Sequence, residues 1–267
     1  MMKRIALPFL FALTFTIPTV AHAQRRSPLA DAPAIRKRVE LRETRLELGA
    51  GMASTINQTF FHGLMADVRL GFHINDWLAV TGMGAFNVTS LSTGFHDELQ
   101  DTLKAQSTPS RAPSAGVADS SINKASMVLG GQVEVTPFAG KYALFGALFA
   151  HYDLYVFGGV AGVNLAAEKG NAAGPCSDNH TAAAGTTQCL VSGMKVGGTF
   201  GAGFHSFFNN FLALNVELRD LMLKDNPAGR DVNGDGFADN QDLTWTSHLM
   251  VSLGLTVFLP STASISP

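Results

Sequence analysis

Cysteine is nearly missing from this chain. Cys176 and Cys189 are the only two in 267 residues, so at most one intramolecular disulfide can form. Both lie in one polar segment, PCSDNHTAAAGTTQC, and in an oxidising compartment they are expected to close a small loop. Asp178 and His180 between them offer too few ligands for a metal site. Charge is also scarce, at 15% of residues with a net charge of −2. Its one basic cluster, Arg36-Lys37-Arg38, is too short to make a nucleic-acid footprint. Beyond the N-terminus, long apolar runs are absent because Gly, charged or polar residues interrupt each of them. Any passage through a membrane must then be made by strands, since a spanning helix needs about 20 apolar residues.

The N-terminus itself, MMKRIALPFLFALTFTIPTVAHAQ, has two basic residues, a run from Ile5 to about Val20 and then Ala21-His22-Ala23. This is the pattern of a secretory signal peptide over 1–23, cleaved before Gln24. Residues 24–42 are polar and basic with Pro28 and Pro33, and read as a flexible periplasmic leader. About 245 residues remain after cleavage, enough for one large domain.

What the chain has instead is glycine, 27 residues of it, and alternation. From Leu212 to Arg219 the apolar Leu212, Leu214, Val216 and Leu218 interleave with Ala213, Asn215, Glu217 and Arg219, a strand with one oily and one charged face. The same period recurs near 44–52, 64–72, 77–89, 127–136, 150–164, 190–204 and 243–258, so eight strands are expected. Pro137-Phe138-Ala139-Gly140-Lys141 reads as the end of the fourth. The links alternate in length. Segments near 90–124, 167–188 and 224–242 are long, whereas 73–76 and 207–210 are tight and 137–149 is compact. Long loops on one side and short turns on the other characterise outer-membrane barrels, extracellular and periplasmic respectively. The expected fold is therefore all-β, an eight-stranded antiparallel up-and-down transmembrane barrel over 43–259, followed by a C-terminal tail at 260–267. Within the first long loop, HDELQDTLKA is expected to form a short solvated helix.

In such a barrel the apolar row meets lipid and the other row fills the lumen. The expected lumen network comprises Arg45, Glu47, Asp67, Arg69, Glu134, Asp153, Lys195, Glu217 and Arg219. Acids and bases nearly balance, as buried charges require. Side chains just fill the interior of an eight-stranded barrel, so the lumen is expected to be plugged. In the last long loop, Asp231, Asn233, Asp235, Phe237 (through its carbonyl), Asp239 and Asp242 fit a twelve-position calcium loop with Gly236 at the bend. Asp242 stands where an EF-hand has Glu, and a polar turn loop fits the same residues. No catalytic set is expected. Ser206 and Ser247 neighbour His205 and His248, but adjacent residues on a strand face opposite ways and cannot pair.

The segments VEVTPFAGKYALFGALFAHYDLYVFGGVAGV and GGTFGAGFHSFFNNFLALNVELRDLML resemble the outer-membrane β-barrel domain family of myxobacteria and related deltaproteobacteria. The marks are the P-F-A-G-K run, His151-Tyr152-Asp153 with Tyr155, and Asn215 to Asp220. The tail after Phe258 departs from the family's terminal aromatic. The resemblance implies an outer-membrane barrel of a family defined by fold more than by activity, some relatives being associated with envelope complexes for gliding motility; lipid and other envelope proteins are the expected partners, and no enzyme activity is expected. From the sequence, the expected function is a structural or scaffold barrel. The alternatives are a narrow small-solute transporter or channel, and a soluble exported lipocalin-like ligand binder.

Overall fold

In the computed structural model of the protein, the described residues are 39–40, 42–105, 122–144, 148–167, 193–226, 232–234, 240–262 and 264–265. Eight antiparallel strands close a barrel in sequence order: Leu46–Thr55 (β2), Phe61–His73 (β3), Leu78–Ser92 (β4), Asn123–Leu144 (β5), Leu148–Ala167 (β6), Gly193–Phe207 (β7), Leu212–Asp225 (β8) and Thr244–Leu259 (β9). Closure is by β2 on β9, in register from Leu46 opposite Leu259 to Thr55 opposite Met250. Closing the sheet pairs every strand on both sides and leaves no open edge along the wall. A separate short pair, Val39–Glu40 (β1) with Ser264–Ile265 (β10), joins the start of the described chain to its end.

The period of each strand sorts its side chains. On β8, Ala213, Asn215, Glu217, Arg219, Leu221, Leu223 and Asp225 are buried while Val216 and Leu218 are exposed. The tight links at 74–77 and 208–211 lie at one end of the barrel, and the long links 93–122 and 226–243 at the other; these are called the turn end and the loop end below. Asn75 and Asn209 brace the two tight links in the same way. Each side-chain carbonyl accepts two backbone amides, Trp77 and Leu78 in the first link and Phe211 and Leu212 in the second.

Three sequence expectations differ from the structure. Pro137–Lys141 does not end the fourth strand. The register shifts between Val135 and Phe138, which lets the backbone absorb the proline, and β5 continues to Leu144 against β6. The helix in the first long loop, Gly94–Ala105 (α1), is not wholly solvated, because His96 and Gln100 are buried. The His96 ring lies 4.4 Å from that of Phe61 and the Phe95 ring 5.6 Å from that of Phe60. Thr93 fixes the start of α1: its hydroxyl donates to the Thr59 carbonyl at 2.6 Å and accepts from the His96 amide at 3.3 Å. The expected leader, 24–42, ends inside the structure, with Val39–Glu40 paired and Arg42 buried.

Candidate functional site: the lumen and its mouth

Alternation places Arg69 of β3 on the inner face, and its guanidinium reaches three other strands. Nε lies 3.2 Å from Glu47 of β2, Nη2 donates to Glu134 of β5 at 2.5 Å, and Nη1 donates to Glu217 of β8 at 2.7 Å. Tyr155 of β6 accepts from Arg69 at 2.8 Å and donates to Glu217 at 2.9 Å, while Asn215 donates to its hydroxyl at 2.7 Å. The Tyr155 ring has room because Gly203 faces it on β7; a Cβ at that position would collide with the ring.

The lattice extends in both directions from Arg69. Toward the loop end, Arg219 donates to Glu217 at 2.5 Å and to the Thr199 hydroxyl at 2.9 Å. Toward the turn end, Glu47 pairs with His73 at 2.8 Å and lies 3.6 Å from His205, which pairs with Asp153 at 2.9 Å. Asp153 also lies 3.3 Å from the Arg42 Nε. Arg42 further donates to the Thr136 hydroxyl at 2.6 Å and to the Asp76 carbonyl, tying the turn-end links to one guanidinium. Each charge in this chain faces an opposite charge or a strong acceptor, the condition under which buried ions are tolerated.

Of the residues expected in this network, Glu47, Arg69, Glu134, Asp153, Glu217 and Arg219 are joined in it. Asp67 lies on the same face within electrostatic range of Arg69, Glu217 and Arg219. Arg45 instead donates to the carbonyls of Asn210 and Phe258, both at 2.8 Å, with its guanidinium 5.6 Å from the Phe258 ring. Lys195 lies toward the loop end, within range of Asp225. Sequence reasoning passed over Arg42, His73 and His205 as members. His73 and His205 were legible, since each stands an even number of residues from an inward Gly71 or Gly203. Arg42 precedes its strand, so no alternation could have placed it.

Charge fills only half of the lumen. Toward the loop end an apolar cluster gathers Met65, Met83, Val128, Val163, Leu221, Leu223 and Met250 with small alanines between them, and Asp225 and His248 lie buried beyond it. At the turn end Phe207, Ala213 and Phe258 close the opposite side. The interior grades from an aromatic base through the ionic lattice to an apolar layer of methionine and leucine, the last two overlapping where Met83 lies opposite Arg69 and Met250 opposite Arg219.

Above the apolar layer, at the mouth, is a cavity of about 320 Å³ between the β2–β3 link, the start of α1 and the ends of β8 and β9. His248 lines it. Gln58 Nε2 donates to His248 Nδ1 at 3.1 Å, which leaves Nε2 as the protonated nitrogen, 3.8 Å from Asp225. Ser247 points away and donates to Asp220 at 2.7 Å. Ser206 likewise bonds Tyr142 at 2.5 Å while His205 bonds Asp153, so neither Ser-His neighbour forms a nucleophile-base pair.

Asp231, Asp235, Phe237 and Asp239 of the calcium pattern, together with Cys176 and Cys189, lie outside the described residues. Asn233 is exposed. Asp242 is buried, and its Oδ1 accepts the amides of Val232 at 2.7 Å and Asn233 at 3.0 Å.

The outer face is greasy all the way round. Leu48, Leu70, Val80, Val133, Val156, Val196, Leu218 and Leu253, one from each strand, are all exposed, Leu70 at 55% and Leu253 at 56%. Near the turn end this band is edged by exposed Phe72, Trp77, Phe138 and Phe208, as aromatic girdles edge a membrane barrel. A continuous apolar belt of this extent is not sustained in water. Its polarity is that of a barrel immersed in lipid.

No protein-family model matches the chain, and no curated protein matches it. Among solved structures it is similar to the N-terminal β-barrel domain of OprF from Pseudomonas aeruginosa, with a TM-score of 0.43 and 9% identity, covering 81% of this chain and 98% of that one. It is also similar to the outer membrane protein OprG from the same organism, with a TM-score of 0.44 and 9% identity over 82% and 97% of the two chains. A third similar structure is Neisserial surface protein A, with a TM-score of 0.35 and 10% identity over 80% and 95%.

Proposed function

We propose that this protein is a sealed outer-membrane barrel of a Gram-negative bacterium, a structural component of the envelope. What supports the proposal is the packing of the lumen, an ionic lattice centred on Arg69 and a cluster of buried methionine, valine and leucine side chains. Ions entering from the turn end would meet the lattice centred on Arg69, and anything that passed it would meet Met65, Leu221 and Met250, whose side chains offer no hydrogen-bond donor to a hydrated solute. A transporter needs a polar path through at least one of these layers. Scaffold work fits the parts left over: long loops on one side, and on the other a hairpin, β5–β6, whose β5 strand runs nine residues past Val135, the last of its residues paired with β4. Docking on other envelope proteins, including a gliding-type complex of the deltaproteobacterial kind, belongs to the same proposal and rests on the sequence resemblance.

Purified protein in planar bilayers tests the seal. The expected result is no unitary conductance above the lipid baseline, and a steady current that scales with added protein overturns the proposal.

A further inference from the structure

The mouth cavity has a chemistry that a sealed structural barrel does not require, and the inference drawn from it does not depend on the lumen below being closed. Its volume, about 320 Å³, lies in the range of small-ligand sites, which are typically apolar with a few convergent polar groups. Phe60, Phe61, Phe95 and Leu165 make the aromatic and aliphatic part of its lining. The polar part includes Gln58, Thr246 and His248. The apolar wall is held in place: α1 is capped by Thr93 and carries Phe95 against Phe60, and Lys124 sits 3.8 Å over the Phe61 ring. Their positions therefore do not depend on a ligand.

The charges at the site limit what can enter. Asp225 is buried on the polar side, but it faces His248 and has Lys195 within range. Its carboxylate accepts the Asn226 amide at 2.8 Å, and because Nδ1 of His248 accepts from Gln58 that ring is neutral, so Lys195 is the countercharge in range and the lining presents no second charge to an ionic guest. What remains for a guest is hydrogen bonding, most directly with the Thr246 hydroxyl, whose own donation is a long 3.3 Å contact with the Thr244 carbonyl. We infer that the barrel mouth binds a small uncharged amphiphile, an aromatic or branched aliphatic body bearing one hydroxyl, with the body against Phe61 and Phe95 and the hydroxyl on Thr246.

The experiment uses full-length protein in lipid nanodiscs, with empty nanodiscs as reference, and follows the fluorescence of 2-naphthol and of naphthalene. The expected result is saturable binding of 2-naphthol that is abolished by Thr246→Trp or Gln58→Trp, two independent ways of filling the cavity. Thr246→Val keeps the shape and removes the hydroxyl. It should weaken 2-naphthol about three- to tenfold, the worth of one hydrogen bond, and leave naphthalene unchanged. Heat-modifiable gel mobility identifies variants that still form the barrel, and only those are compared. No saturable binding by the wild type, binding that survives both filling variants, or an equal effect of Thr246→Val on both probes would each overturn the inference.

Discussion

Arg69 is the residue on which the lower lumen turns, and replacing it with methionine isolates its electrostatic role from its bulk. Arg69→Met leaves Glu134 and Glu217 without the guanidinium that neutralises them at 2.5 and 2.7 Å. Glu47 keeps His73 at 2.8 Å, and Glu217 keeps Arg219 at 2.5 Å, so the injury falls chiefly on Glu134, which retains only Gln132 at 2.8 Å. Removing one partner of a buried ion pair costs about 3–5 kcal/mol, because the abandoned charge stays in a low dielectric. The prediction is a loss of that size in equilibrium unfolding by urea from lipid vesicles. Trp77 and Trp245, both exposed at the barrel surface, supply the fluorescence signal. The compensating change is Glu134→Gln, which removes the stranded charge and keeps its shape. Combined with Arg69→Met, it should recover most of the loss, while Glu134→Gln alone, which unbalances Arg69, should destabilise. A cost for Arg69→Met below about 1 kcal/mol, the scale of an exposed pair, would refute the lattice. So would a double variant no more stable than the single one.

Three further predictions follow from other parts of the barrel. Gly203→Ala forces its methyl into the Tyr155 ring and should cost about 1–3 kcal/mol by overpacking; adding Tyr155→Leu should relieve the clash, so that Gly203→Ala costs little in that background. Leu253→Arg on the outer face should cost about 2–4 kcal/mol if the site lies near the bilayer midplane, whereas in a water-soluble barrel the same change at an exposed position stays within about 0.5 kcal/mol. The spacing from Asp231 to Asp242 predicts a melting temperature that rises with calcium and falls with chelator, with the response lost in Asp231→Ala, Asp235→Ala; an unchanged melting temperature removes the cation from the account.

Strand number, strand order and the side of the wall each residue occupies were available from the sequence alone. A strand's side chains alternate with a period of two whatever surrounds them, so Leu70 and Arg69, or Leu218 and Glu217, could be assigned to opposite faces before any contact was known. Link lengths were as plain, because a tight turn between antiparallel neighbours uses few residues and leaves its Asn in the chain, as at 73–76 and 207–210. Those two periodicities carried the expectation of a closed barrel, and the strands close as expected.

Only the closed structure decided what meets what inside. Alternation tells that Glu47, Arg69, Glu134 and Glu217 share the lumen, but not that one guanidinium stands among all three carboxylates, because that depends on the stagger of β2, β3, β5 and β8 around the ring. Arg42 lies before its strand and carries no periodic label, yet it binds Asp153 and the turn at Asp76. The apolar upper lumen and the cavity above it were hidden for the same reason. Met65, Met83 and Met250 come from β3, β4 and β9, and contacts among residues so far apart in the chain are set by register and closure, which a pattern local to each strand does not contain.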